Sequence, residues 1–203
     1  TKDGMERGCP KYAGIQAEAD FKGKTRGVWF YGNEYPFYAW MHKLDMSTDG
    51  GKDGVTVLKQ IFDVQSLIQK QADCISVMTY NEYGQVLDAG FKPEDLTVFN
   101  YSAMGADLLE DGLYVLGDQL KDPKFKDEMV RFVKASMQGW DYALAHPDEA
   151  AQIVVDNGGQ DLNHQKYMMG EVAKLTAGGN GVLNEAAYQR TEQALLDQKI
   201  ITK

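Results

Sequence analysis

The chain has 203 residues, 43% of them hydrophobic and 25% charged, which bounds it to one domain or two small lobes of ordinary globular composition. A net charge of −9, with Arg7, Arg26, Arg131 and Arg190 as its four arginines, argues against nucleic acid and anionic membrane surfaces as partners, since both attract basic patches. No apolar run approaches the ~20 residues that span a bilayer, so no direct membrane insertion is expected.

Residues 1–23 read as an irregular segment, with Gly4, Gly8, Pro10 and mixed charges. Residues 25–31 read as a strand, and its apolar part, Gly27–Tyr31, runs into Gly32, Asn33 and Glu34. A helix is expected over 34–44, with Pro36 in its first turn, where a proline is tolerated. Half of residues 27–40 are aromatic. A strand–glycine–helix junction presents free backbone N–H groups at the mouth of a sheet. Aromatic faces beside it suggest a pocket for a flat, polar small molecule, although a buried strand leading into a helix with a Tyr/Trp core face would give the same pattern. Ser47–Gly54 is a turn, Val55–Gln60 a strand, and Asp63–Lys70 a helix with Asp63 as a plausible N-cap. Cys74–Met78 is a strand, Glu82–Ala89 a helix ended by Gly90, and Leu96–Phe99 and Leu113–Leu116 further strands. The alternation predicts a mostly parallel sheet covered by helices.

From Pro123 onward the pattern turns helical, over 124–145, 148–157, 162–176 and 184–197. Phe132, Val133, Ser136, Trp140, Ala143 and Leu144 trace a stripe at i, i+3/i+4 spacing, so Trp140 is expected in a core. The expected organisation is an irregular segment or crossover over 1–23, an α/β lobe over 24–112 and a mostly helical part over 113–203. That helical part has little sheet of its own to cover, which implies a partner sheet supplied by residues outside this sequence.

Cys9 and Cys74 are too few for a disulfide framework and too far apart for a zinc motif, and Cys74 is expected as a small buried hydrophobe. His42, His146 and His164 are scattered, with no metal-ligand spacing. No activated nucleophile, P-loop or GxSxG motif is present. Three strand ends carry polar clusters: Gly32-Asn33-Glu34, then Tyr80-Asn81-Glu82, then Glu110-Asp111 before Gly112. Ligands of open α/β sheets bind beyond the carboxyl ends of the strands. Asn33 and Asn81 would serve equally as N-caps, and Glu34 and Glu82 as dipole-favoured residues of a first turn. As a pocket, these carboxylates, amides and rings without a nearby arginine favour a neutral or cationic heterocycle with N–H donors over an anion.

The runs GVWFYGNEYPF (27–37), MTYNEY (78–83) after QKQADCIS, LLEDGLYVL (108–116) and VRFVKASMQGWDYALAHPDEAAQIV (130–154) together resemble periplasmic solute-binding proteins of ABC importers. The branch is the thiamine-pyrimidine-precursor-binding type, related to the nitrate and taurine binders, and the resemblance covers roughly residues 12–200. It implies a two-lobed α/β fold of the type II periplasmic-binding-protein kind that closes on its ligand by a hinge. It also implies that the first half of lobe one is absent from this chain. By the same resemblance, Trp29, Gly32, Asn33, Glu34 and Tyr35 line the second-lobe wall, Tyr80, Asn81 and Glu82 sit at the cleft or hinge, and Glu110 and Asp111 lie near the second crossover.

The function so implied is binding, without catalysis, cofactor or metal. A pyrimidine or thiamine-precursor-like heterocycle is captured and passed to an ABC permease. The setting implied is periplasmic or otherwise extracytoplasmic, with a signal peptide and possible lipid anchor in the precursor; no such segment is visible in this sequence, which read by itself also fits a cytoplasmic protein. The alternatives are a ligand-sensing domain of the same fold and a pyrimidine-precursor synthase, whose cysteine-rich iron motif this sequence lacks.

Overall fold

The computed structural model describes residues 3–202. Two compact units emerge: residues 3–109 together with 184–202, and residues 110–183. In the first, the strands are β1 (Met5–Pro10), β2 (Thr25–Val28), β3 (Thr56–Lys59), β4 (Ile75–Met78) and β5 (Leu96–Asn100). The helices that accompany them are α1 (Tyr35–Lys43), α2 (Gln65–Ile68) and α3 (Glu82–Asp88).

β1 lies between β4 and β5 and is antiparallel to both, with Met5 opposite Met78 and Glu6 opposite Asn100. β2 and β3 pair in parallel, from Thr25 opposite Thr56 to Val28 opposite Lys59. A single parallel bridge, Arg26 to Cys74, joins the two sheets, and Gly27 N–H donates to the Cys74 carbonyl at 2.8 Å. The strands therefore run in the order β3-β2-β4-β1-β5, parallel except for β1. Chain order reverses direction between β2 and β4, which makes that crevice the topological switch point of the sheet. Gly27 fits there because it lacks a side chain: a Cβ would lie 3.0 Å from both Gln60 Oε1 and Ile75 Cγ2. Gln60 in turn donates to the Ser76 carbonyl and accepts from Ser76 N–H, each at 2.9 Å, and so splices the end of β3 onto β4.

The core over this sheet is aromatic. Phe21 meets Trp40 edge-on at 5.3 Å and Phe99 at 5.0 Å, and Trp40 meets Tyr101 at 5.0 Å. Such pairs contribute about 0.5–1.5 kcal/mol each beyond the area they bury. Two arginines lie in the same core, both fully buried. Arg7 donates to the Gly27 carbonyl, Ser76 Oγ and Tyr101 OH and lies over the Phe37 ring. Arg26 lies 4.0 Å from the Phe21 ring centre, and its Nη1 donates to Cys74 Sγ and, at 3.8 Å, to Cys9 Sγ.

Several expectations change here. Residues 1–23 are not uniformly irregular, because β1 is the central partner of β4 and β5. Its charges hide it: Arg7 donates inside to groups up to 94 residues away in sequence, which local pattern cannot show. Cys74 is buried as expected but is not a free thiol. It forms a disulfide with Cys9, its cross-strand neighbour at a Cα separation of 4.3 Å, the spacing of a non-hydrogen-bonded antiparallel pair. The strand expected over 25–31 ends at Val28, where Trp29–Tyr31 leave the ladder. The helix expected over 63–70 shortens to α2, although Asp63 Oδ1 does accept from Gln65 N–H at 2.9 Å.

In the second unit the helices are α4 (Pro123–Ala145), α5 (Pro147–Gly158) and α6 (Leu162–Thr176). Asp122 and Asp161 cap α4 and α6 by accepting from Lys124 and His164 N–H, each at 2.9 Å. The strand expected at Leu113–Leu116 does not form; these residues are exposed and make no strand ladder. Trp140 is 44% exposed rather than in a core, because α4 has no buried residue and nothing in its own unit covers the Phe132–Trp140 stripe. The last helix, α7 (Glu185–Asp197), belongs to the first unit, not to a helical part running over 113–203. Arg190 pairs with Asp107 at 2.9 Å and Thr191 Oγ1 accepts from Leu109 N–H at 2.9 Å.

Candidate functional site

The carboxyl ends of β2, β3 and β4 lie at one end of the sheet, because the three strands run parallel in adjacent positions. At the end of β2, Trp29 turns inward. It is 3% exposed, its Nε1 donates to the Ile61 carbonyl at 3.3 Å, and its ring stacks on Phe62 at 5.8 Å with 26° between planes. The exposed aromatic at this position is therefore Phe62, with Trp29 as its buried backing.

Tyr31 and Gly32 follow with φ of 65° and 106°. The left-handed conformation suits Gly32; for Tyr31 it costs on the order of 1 kcal/mol or more. The turn is closed by its own side chains. Gly32 N–H donates to Glu34 Oε2 at 2.7 Å and Asn33 Nδ2 donates to the Phe30 carbonyl at 3.3 Å. The result throws the Tyr31 ring outward, where Lys59 Nζ donates to its hydroxyl at 2.9 Å and lies 4.4 Å from the ring centre. That hydrogen bond, and then the Lys59 charge, hold the Tyr31 phenol below its ordinary pKa.

Tyr35 opens α1, half-buried, and its carbonyl accepts from Gln198 at 3.3 Å. Glu34 and Tyr35 also border an open groove of about 620 Å³ along α1, with Tyr38, His42, Met46 and Asp49. Burial, then the charges of Glu34 and Asp49, raise the Tyr38 phenol.

At the end of β4, Glu82 is buried. Its Oε2 accepts from Met78 N–H at 3.0 Å and its Oε1 accepts from Asn81 Nδ2 at 2.9 Å. Asn81 Oδ1 accepts from Gln85 at 3.2 Å. Glu82 thus ties the strand end to the start of α3, and Asn81 and Tyr80 sit half-buried beside it.

The strand order brings the two Asn-Glu junctions to the two sides of the switch point. Glu110, half-buried, and Asp111, exposed, belong to the other unit. Tyr31, Lys59, Ile61 and Phe62 were not read from the sequence as site residues. The available signal was an apolar pair, Ile61-Phe62, set between Gln60 and Asp63 immediately after a strand. Among the described residues, no group of three or more His, Cys, Asp or Glu could hold a metal ion. No helix among them is long and apolar enough to cross a membrane.

An α/β sheet that is parallel except for β1, with a switch point between β2 and β4, is a frame that takes small ligands beyond its strand ends. Residues 9–150 match the family described as NMT1/THI5 like, and the chain belongs to that family. It is a family of solute-binding proteins that also includes pyrimidine synthases. No curated protein matches the chain.

Proposed function

We propose that the chain is a substrate-binding protein of an ABC importer, not an enzyme, and that it captures a small planar heterocycle of the pyrimidine or thiamine-precursor type by hinge closure. The observation that carries this reading is the pairing of two aromatic Asn-Glu junctions across the topological switch point, where open α/β sheets take their ligands. Trp29, Gly32, Asn33, Glu34 and Tyr35 form one side, and Tyr80, Asn81 and Glu82 the other. Glu110 and Asp111 are assigned to the crossover between lobes. The closed state gains affinity because only it contacts the ligand on both walls.

Two further observations support the reading. Cys9 and Cys74 form a disulfide, and disulfides persist in oxidising, extracytoplasmic compartments, which suits a periplasmic importer component working beside a permease. No free cysteine remains among the described residues, so no thiolate is available for the iron that synthase chemistry would need. The charge of the ligand is less constrained than the sequence suggested. Glu82 has both oxygens engaged, and Glu34 spends one on its own turn.

A thermal-shift screen against pyrimidines, thiamine precursors, flavins, amines and sulfonates tests the proposal. Ligand at 100-fold over Kd adds about 2.7 kcal/mol, which raises the melting temperature of a chain this size by about 5–10 °C. A shift with pyrimidines is expected; no shift with any heterocycle would rule the reading out.

A further inference from the structure

We infer that Arg26 is a built-in counter-ion for a thiolate on Cys74, which makes the Cys9–Cys74 disulfide a redox-sensitive latch: a dithiol reductant opens it, and the guanidinium holds the Cys74 sulfur as its anion. The inference concerns the join between the two sheets and does not depend on the ligand proposed above.

Three observations converge on these groups. First, the guanidinium is buried without an anion. Arg26 is fully buried, and no carboxylate among the described residues pairs with it. Asp73 attracts it but accepts from Thr25 N–H at 2.7 Å, and Arg7 adds a like charge while itself donating to the Tyr101 hydroxyl. A charge so placed is costly until an anion reaches it. Second, its donors are idle. Nε and Nη2 have no acceptor, and Nη1 donates only to sulfur, to Cys74 Sγ and, at 3.8 Å, to Cys9 Sγ. Such sulfur is a weak acceptor, whereas a thiolate forms a charge-assisted bond with a guanidinium. Third, the sheet holds these groups in place. Arg26 and Cys74 form the parallel bridge across the switch point, and the guanidinium lies 4.0 Å from the Phe21 ring centre.

The chemistry follows from that placement. A thiolate of the reductant bonds to Cys9 Sγ, the S–S bond breaks, and its electron pair goes to Cys74 Sγ. Cys74 is the better leaving group because the neighbouring cation stabilises its anion. The second thiol of the reductant gives its proton to solvent and displaces the Cys9 sulfur, which takes up a proton. The reductant ends as a cyclic disulfide, Cys9 as a thiol and Cys74 as a thiolate paired with Arg26. β1 stays laddered to β4 and β5 throughout. Both sulfurs are fully buried, so a reductant reaches them through local opening and the latch is read at equilibrium.

The test equilibrates the whole chain in dithiothreitol redox buffers at neutral pH and counts free thiols by acid quench, alkylation and mass spectrometry. Expected is a reduction equilibrium constant at least about tenfold larger for the parent than for Arg26→Met, a potential higher by about 30 mV. A second measurement needs no change at Arg26. In Cys9→Ser the lone Cys74 thiol, followed by thiolate ultraviolet absorbance, should titrate below the ordinary cysteine range. Circular dichroism of the reduced parent should match that of the oxidised chain. Equal reduction equilibria for parent and Arg26→Met, a Cys74 titration at or above the ordinary range, or unfolding of the reduced parent would each overturn the inference.

Discussion

Arg26 shows how far a single residue can depart from its usual place. Its guanidinium is fully buried between the Phe21 ring and the disulfide, and its Nε and Nη2 find no hydrogen-bond partner. Burial first, and then the like charge of Arg7, push it down to about 9, against the pull of Asp73 and Tyr101. A basic group with a depressed folded-state pKa loses its proton in the folded chain while the unfolded chain still holds it. The unfolded state therefore binds more protons from about 9 up to the ordinary arginine range, and stability from this group rises with pH across that window. Below it the charged Arg26 is a constant cost. The expected outcome is that the stability of the parent relative to Arg26→Met improves from pH 8.5 to 10.5, by at most about 1.4 kcal/mol per pH unit. Urea denaturation of both proteins across that range checks it, and taking the difference cancels the lysines and tyrosines that titrate there. A difference independent of pH would mean that Arg26 keeps its proton in the fold.

Between elements, the Cys9–Cys74 bond fastens β1 to β4 and closes a loop with a sequence separation of 65. Cross-linking a loop of that length lowers the entropy of the unfolded chain enough to stabilise the fold by about 4 kcal/mol. The double variant Cys9→Ala, Cys74→Ala should accordingly melt about 10 °C lower than the parent, and dithiothreitol should leave the variant's melting unchanged. A variant that melts with the parent would show that β1 is held by its ladders and by Arg7 alone. β1 is also the element that sequence reading missed. Periodicity finds strands with one wet face, and β1 is paired on both edges and buried along nearly its whole length, with an arginine inside. The opposite error occurred at Leu113–Leu116 and Trp140. Apolar runs and stripes report which residues would be buried if something covered them, not whether anything in their own unit does.

For the molecule as a solute-binding protein, ligand should close the hinge. Small-angle scattering with and without a saturating pyrimidine ligand is expected to show a smaller radius of gyration in the bound state, and an unchanged radius would argue for capture without closure. The α/β class, the run of elements from β2 to β5 and the two Asn-Glu junctions were legible in the sequence, because apolar periodicity, turn residues and helix starts are local signals. Trp29 and Glu82 stood out in the sequence as candidates, and the tertiary structure buries both, Trp29 against Phe62 and Glu82 against the end of β4. Which strands are neighbours, and hence that the two junctions flank one switch point, was decided by pairings such as Arg26 with Cys74, 48 residues apart in sequence. The disulfide, the buried arginines and the Tyr31–Lys59 and Trp29–Phe62 contacts were decided in the same way. Each depends on groups that approach only when the sheet assembles, and no local pattern records which distant side chain will arrive.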